Sequence, residues 1–270
     1  MGTVHLNKGR SSIRPSPVFL TIVLVTVLSG LVAWRYGQIT ETPARVAVFA
    51  FVVAAWVVSL CLHEFGHAYF AFRSGDHSVG TRGYLTLNPA KYADPILSFA
   101  FPVLFILLGG IGLPGGAVWI DRHAIQGRLK HSLISLAGPL ANIVFAGVLA
   151  ALFASFADAE HWVFWGGVAF LAFLQVTAAL INLLPIPGLD GFGIWEPYLP
   201  RDFVEKANQY GGYIFIGLLA ALWLIPPVNE AFFDIALGVC GAIGLGEFPF
   251  EMALPVNPIG WGHALFEFWN

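Results

Sequence analysis

The residues best suited to chemistry are two histidines flanking a glutamate in HEFGH, at 63–67. In a helix, His63 and His67 are one turn apart and project from the same face, so both imidazoles can reach one metal ion. Glu64 lies beside them and can take a proton from a water that a zinc ion has made more acidic. A zinc site of this kind also needs a third protein ligand and an open position for water. The best candidate for that ligand is Asp190, in NLLPIPGLDG at 182–191. Each residue has a plainer reading. The histidines could pack helices through hydrogen bonds, and Asp190 could be a helix-stop carboxylate on a loop.

The setting of these groups weighs against the plainer readings. Of 270 residues, 57% are hydrophobic and only 11% charged, and mean hydropathy is +0.76. A soluble domain needs more charge than that to keep its surface wet, so the main solvent is lipid. Placing a carboxylate in an apolar span costs roughly 2–3 kcal/mol on insertion scales. Such a cost persists only where the group pairs, binds a metal or lines a wet cavity. A net charge of −3 and the lack of a basic block exclude a nucleic-acid surface. Cys61 and Cys240 lie in apolar runs without disulfide-framework or metal-site spacing, and read as small buried apolar residues.

The apolar runs predict an all-α polytopic membrane protein with six spanning helices, near 18–34, 45–72, 133–156, 162–184, 210–225 and 231–245. The first, after a short basic leader, reads as a signal anchor in preference to a cleaved signal peptide. The stretch 75–94 reads as loop or short strand. The run 96–111 is short, contains Pro102 and leads into GGIGLPGGAVWID. It is expected to form a re-entrant helix and β-hairpin. With that element re-entrant and the N-terminus cytoplasmic, eleven of the thirteen basic residues fall on the cytoplasmic side, leaving only Arg35 and Arg45 opposite. The chain then divides into a leader and first span (1–44), a catalytic core (45–200) and C-terminal spans (201–270). At the end of the fourth span, Pro185, Pro187 and Gly188 must unwind the helix beside Asp190. HEFGH and Asp190 fall near the cytoplasmic ends of their spans, at similar depth.

HEFGH, SLAGPLANIV at 135–144 and NLLPIPGLDG, in this order, resemble the motifs of the site-2 protease family of intramembrane zinc metalloproteases. GYLTLNPAKYADP at 83–95 is similar to the segment after the histidine motif in short prokaryotic members. The resemblance covers about residues 45–197. It implies a Zn²⁺ held by His63, His67 and Asp190, with Glu64 as catalytic base. It also implies that Asn182 helps hold the substrate or its developing oxyanion. Asn142, on the GPLAN helix, reads as an interhelical hydrogen-bonding residue. Tyr92 stands where similar short members often carry a histidine. The remaining histidines read as interfacial or loop residues, with His77 a weak candidate for supporting the site.

The expected partners are membrane-protein substrates with a transmembrane segment and the bilayer itself. Compact loops suit a prokaryotic plasma membrane. Two other readings remain: a membrane metal transporter, which needs ligands along a path across the bilayer, and a non-catalytic scaffold that binds membrane helices.

Overall fold

The computed structural model describes residues 13–36, 42–92 and 118–245. Within them the chain forms α1 (Pro17–Arg35), α2 (Thr42–Ser74), α3 (Ser78–Thr81), α4 (Arg128–Phe156), α5 (Trp162–Asn182), α6 (Asp190–Trp195), α7 (Arg201–Leu224) and α8 (Pro226–Ala242), with no strand among them. The short strand expected within 75–94 is absent through Tyr92. That stretch folds as α3 and two 3-10 turns, with Leu87 at φ 57°. The expected re-entrant run at 96–111 and the hairpin through 117 lie outside the described residues, as does the leader at 1–12. Val118 to Ile120 are non-helical chain.

Four helices, α1, α2, α4 and α5, are long and apolar enough to cross a membrane. The two further spans expected from the sequence are both helical, but α7 and α8 meet at 91° and qualify only as one broken or re-entrant pair. The bend falls at Ile225, where Pro226 and Pro227 remove amide donors and end the preceding helix. The six expected spans therefore become four unbroken ones and a bent pair.

The bundle is built around α5. An amphipathic helix buries one stripe, whereas one that is apolar all round must be enclosed. In α5, 89% of the apolar window is buried, and Phe170, Phe173, Leu171 and Leu174 are fully enclosed. Around it pack α2 and α4, which also pack on each other. Lipid cannot supply a hydrophobic drive between helices, so close backbone approach through small residues must do so. Gly66 of α2 is such a contact: a Cβ there would come within 2.8 Å of the Ala137 carbonyl oxygen of α4. Gly167 of α5 lies as tightly against Val48 and Phe51 of α2. α1 lies outside, against α2, with most of its surface uncovered, as a lipid-facing helix requires. Its start is anchored twice. The Ser16 hydroxyl accepts from the Phe19 amide, and the Ser16 amide donates to Thr86 O at 2.8 Å.

At the other end of the bundle, the turn between α4 and α5 carries a polar clasp. Asp158 accepts from the backbone N–H and Nδ1 of His161, both at 2.8 Å, and from the Trp165 indole at 3.4 Å. The His161 ring stacks on Trp34 at the end of α1, 3.7 Å between centroids. Desolvation opposes the charge on Asp158, but these donors outweigh it and hold its carboxyl below the ordinary value. A carboxyl with a depressed folded-state pKa contributes stability that is present above its unfolded pKa and lost as pH falls through the folded one. We therefore expect the melting temperature of detergent-solubilised protein to fall as pH drops below about 4. Asp158→Asn should flatten part of that slope. Matching acid slopes for the two proteins would show that the clasp contributes nothing.

Candidate active site

His63 and His67 lie on the buried face of α2, each 7% exposed, and Glu64 beside them is 3% exposed. The periodicity of the helix brings the two imidazoles together, with their Nε2 atoms 3.1 Å apart. Asp190 arrives from a different element. After Asn182 the α5 helix unwinds through Leu183–Leu189, with Gly188 at φ 96°, and the chain restarts as α6 at Asp190. Its carboxylate oxygens lie 3.2 Å from His63 Nε2 and 3.3 Å from His67 Nε2. α6 is pressed onto α4. The Ser132 hydroxyl donates to Ile194 O at 2.7 Å, and a Cβ on Gly193 would meet Ser135 Oγ at 2.5 Å.

The protonation of both rings follows from their partners. His67 Nδ1 lies 2.7 Å from Ile134 O, a carbonyl that can only accept, so Nδ1 carries the proton. His63 Nδ1 meets Asn142 Oδ1, and the sense of that bond is set by a buried chain leading away from it. Ser59 Oγ donates to the Trp56 carbonyl at 2.7 Å and accepts from Gln175 Nε2 at 2.9 Å. Gln175 Oε1 therefore accepts from Asn142 Nδ2, also at 2.9 Å. Asn142 is left with only its carbonyl oxygen for His63, so His63 Nδ1 must be the donor. In their neutral form both histidines therefore turn the Nε2 lone pair toward the same place as the carboxylate of Asp190.

With both rings neutral in this tautomer, the three groups are Lewis bases facing one another. One proton can bridge only two of the atoms, whereas one cation serves them all. Ligand atoms from His63, His67 and Asp190 all lie within 4.8 Å of one another. For a tetrahedral zinc with ligands at about 2.0–2.1 Å, neighbouring ligands are separated by about 3.3 Å. The 3.1 Å between the two Nε2 atoms is close to that edge, and each Nε2 lies 3.2–3.3 Å from a different oxygen of Asp190. Gly138 of α4 leaves the space: a Cβ there would run into Nε2 of both histidines. The donor set and the room around it fit zinc.

Glu64 points its Oε2 to the Val118 amide at 3.1 Å. The segment carrying Val118 is held from two sides. Asp76, 1% exposed, accepts from the Ser78 and Asp121 amides at 2.9 and 2.8 Å. Arg122 pairs with Glu196, directly after α6. A cavity of about 570 Å³ is lined by His63, Glu64, His67, Asn142, Asn182 and Asp190, among others. Asn182, expected at the site from the family resemblance, is thus in its wall. Two histidines read as loop residues, His123 and His131, line it as well. His77 does not; it lies edge-on to Phe72. The buried Tyr92 is also absent from the lining. Gln175, Ser59, Gly138 and Asp76 went unnoticed in the sequence. The available signal was a glutamine inside a fully apolar span, where a polar side chain needs a partner.

Comparison with known proteins agrees with this geometry. The chain is 52% identical over 229 residues to "Putative zinc metalloprotease Rip2" of Mycolicibacterium smegmatis, covering 84% of this chain and 86% of the relative. It is 48% identical over 226 residues to the Mycobacterium tuberculosis protein of the same name, with the same coverage. "Putative zinc metalloprotease YwhC" of Bacillus subtilis is 32% identical over 210 residues, 73% of this chain and 94% of the relative. The chain belongs to the site-2 protease family of zinc metalloproteases. No family model and no solved structure matches it. As in that family, the chain is an integral membrane protein with its metal-type residues on spanning helices or beside them.

Two substitutions test this geometry without touching a ligand. Gln175→Leu cuts the chain that orients His63, and loss of such outer partners typically lowers metal affinity by about 10–100-fold. We expect a shift of that size in chelator competition, with helix content unchanged by circular dichroism. Gly138→Val should leave less than one zinc per chain at any practical concentration. Wild-type affinity in both variants would mean that neither the chain nor the glycine shapes the site.

Proposed function

We propose that this protein is an intramembrane endopeptidase that hydrolyses peptide bonds of membrane-embedded protein substrates. His63, His67 and Asp190 would hold one zinc, with Glu64 as general base. The observation that carries the reading is the convergence of two Nε2 lone pairs and a carboxylate beside a buried glutamate, within one cavity. A zinc bound there supplies Lewis acidity for the scissile carbonyl and makes a water more acidic.

The chain's own groups supply the rest. Glu64 takes a proton from the attacking water, whose oxygen bonds to the carbonyl carbon. It then delivers that proton to the amine nitrogen as the C–N bond breaks. The Val118 N–H holds the carboxylate of Glu64 in place during both transfers. The side chain of Asn182 lines the cavity and makes no hydrogen bond among the described residues, which leaves its amide free to meet a substrate carbonyl or oxyanion. Water would enter where the wall is polar, past Asp121, His123 and His131. A helical peptide bond is shielded by its own hydrogen bonds, so the substrate must unwind locally to reach the site. The excess of basic residues on one side supports a cytoplasmic N-terminus, with the site opening to the cytoplasmic side of a prokaryotic plasma membrane.

The test pairs zinc content with cleavage of a transmembrane test substrate in detergent. Wild type and Glu64→Gln should each bind one zinc, and cleavage should fall at least about 10²-fold in the variant. His67→Ala should lose both zinc and cleavage. Chelation should silence the wild type, and added zinc should restore it. Zinc transport into liposomes without any cleavage would favour a transporter and overturn the proposal.

A further inference from the structure

The cavity extends beyond the catalytic groups, and its two ends differ in chemistry. On α2 the lining residues Leu60 and Trp56 lie one and two turns before Glu64, about 6 and 12 Å along the helix. On α5, Ala178 lies one turn before Asn182 and also faces the cavity. Both helices run in the same direction relative to the site, so these three residues bound the same end. They are deeply enclosed, with Trp56 at 4%, Leu60 at 6% and Ala178 at 2% exposure, and so are walled by protein, not lipid. The opposite end carries Asp121, Arg122 and His131. Ser59, also at the enclosed end, has its hydroxyl committed to Trp56 O and Gln175. Asn142, level with Ser59, is likewise committed, to Gln175 and His63. The Trp56 indole N–H is the one buried side-chain donor in that wall without a partner among the described residues, and no charged group stands there.

We infer that this enclosed end is a specificity subsite for one large apolar side chain of the substrate, next to the scissile bond. The inference rests on the proteolytic reading above and deepens it. Its depth of one to two helical turns suits leucine, methionine or phenylalanine. The small side chain of Ala178 leaves the width, Leu60 forms the wall nearest the reacting centre, and the ring of Trp56 closes the floor. The Trp56 N–H can satisfy one acceptor of a polar guest, but asparagine would still bury an unpaired NH₂ and aspartate an uncompensated charge, and both are costly. Leucine and phenylalanine should therefore be accepted, alanine tolerated, and asparagine or aspartate rejected at this position. The pocket lies on the side of the metal ligands away from the polar mouth. The selected residue accordingly sits toward the membrane interior from the cleaved bond.

The experiment is a cleavage profile on a transmembrane substrate carrying Ala, Leu, Phe or Asn at each of three positions on either side of the cleaved bond. Wild type should show a preference of about 10-fold or more for Leu or Phe over Asn, confined to one position. Ala178→Leu narrows the pocket and should lower cleavage of the Leu and Phe substrates about 10-fold while sparing the Ala substrate. Leu60→Ala widens it and should move the preference from Leu toward Phe. Zinc content of one per chain identifies variants that have folded. A flat wild-type profile, or variants that scale all substrates equally, would overturn the subsite while leaving the protease intact. A zinc-loaded wild type that cleaves no member of the series refutes the proteolytic reading, and the subsite with it.

Discussion

Two neutral imidazoles with their Nε2 lone pairs turned inward and a carboxylate share a space in which their ligand atoms lie within 4.8 Å of one another. In a buried setting that arrangement is repulsive unless a cation joins it. Much of the rest of the fold can be understood as what is needed to keep these atoms there. The helix period places the histidines side by side without help. Their ring orientation is not intrinsic to the helix, because an imidazole can turn about its side-chain bonds and can protonate at either nitrogen. The Ile134 carbonyl and the Asn142–Gln175–Ser59 chain remove that freedom. The chain ends on a backbone carbonyl of α2 itself, so α2, α4 and α5 are closed into one hydrogen-bonded ring around the site.

Such a ring requires three helices at short range, and that explains where the glycines fall. Gly66 brings the α2 backbone onto Ala137, and one residue further along α4 Gly138 clears room for both imidazoles. Gly193 does the same for α6 against Ser135. Gly191 is enclosed by the Leu183 and Leu184 carbonyls, so the unwound segment folds back tightly on the start of α6. Side chains in these places would separate the elements by more than the hydrogen bonds of the site can span. The apolar surroundings add to the constraint, since a broken bond in the ring leaves a buried donor or acceptor with no water to replace its partner.

The parts of this arrangement that follow from short-range periodicity were legible in the sequence. The HEFGH spacing placed two histidines that could share a metal ion beside a glutamate, and the length of the apolar runs marked the positions of the helices. The Pro–Gly pattern before Asp190 marked the unwound segment that frees its carboxylate to turn inward. Less legible was anything that depends on which faces of two helices meet. Gln175 pairs with Ser59, 116 residues away, and with Asn142, 33 away. No local pattern announces such a pair, although a glutamine in an apolar span does announce that some partner exists. Nor does any local pattern announce Asp76, whose carboxylate accepts from the Asp121 amide 45 residues away. Two separate spans were expected at 210–225 and 231–245, and only the structure shows that the chain turns by 91° between α7 and α8, at Pro226 and Pro227.

The segment Val118–Ala124 binds these layers together. It touches Glu64 through an amide, is gripped by Asp76, and reaches the α6 region through Arg122 and Glu196. One short stretch of extended chain and a 3-10 turn is therefore joined both to the carboxylate that would move protons and to the element that carries the third ligand-type residue. Irregular backbone at membrane depth persists only where protein covers it or where it lines a cavity, and this segment does both. Its far edge forms part of the polar mouth, while Trp56 and Leu60 of α2 and Ala178 of α5 wall the enclosed end. The division has a physical consequence. Water and protons have polar groups to follow only on the side where this segment lies. An apolar side chain gains most by entering the opposite side, where Ser59 and Asn142 are already committed to partners within the protein. A bond held between the two ends would meet water from one direction and be positioned from the other, which is what hydrolysis within a bilayer demands.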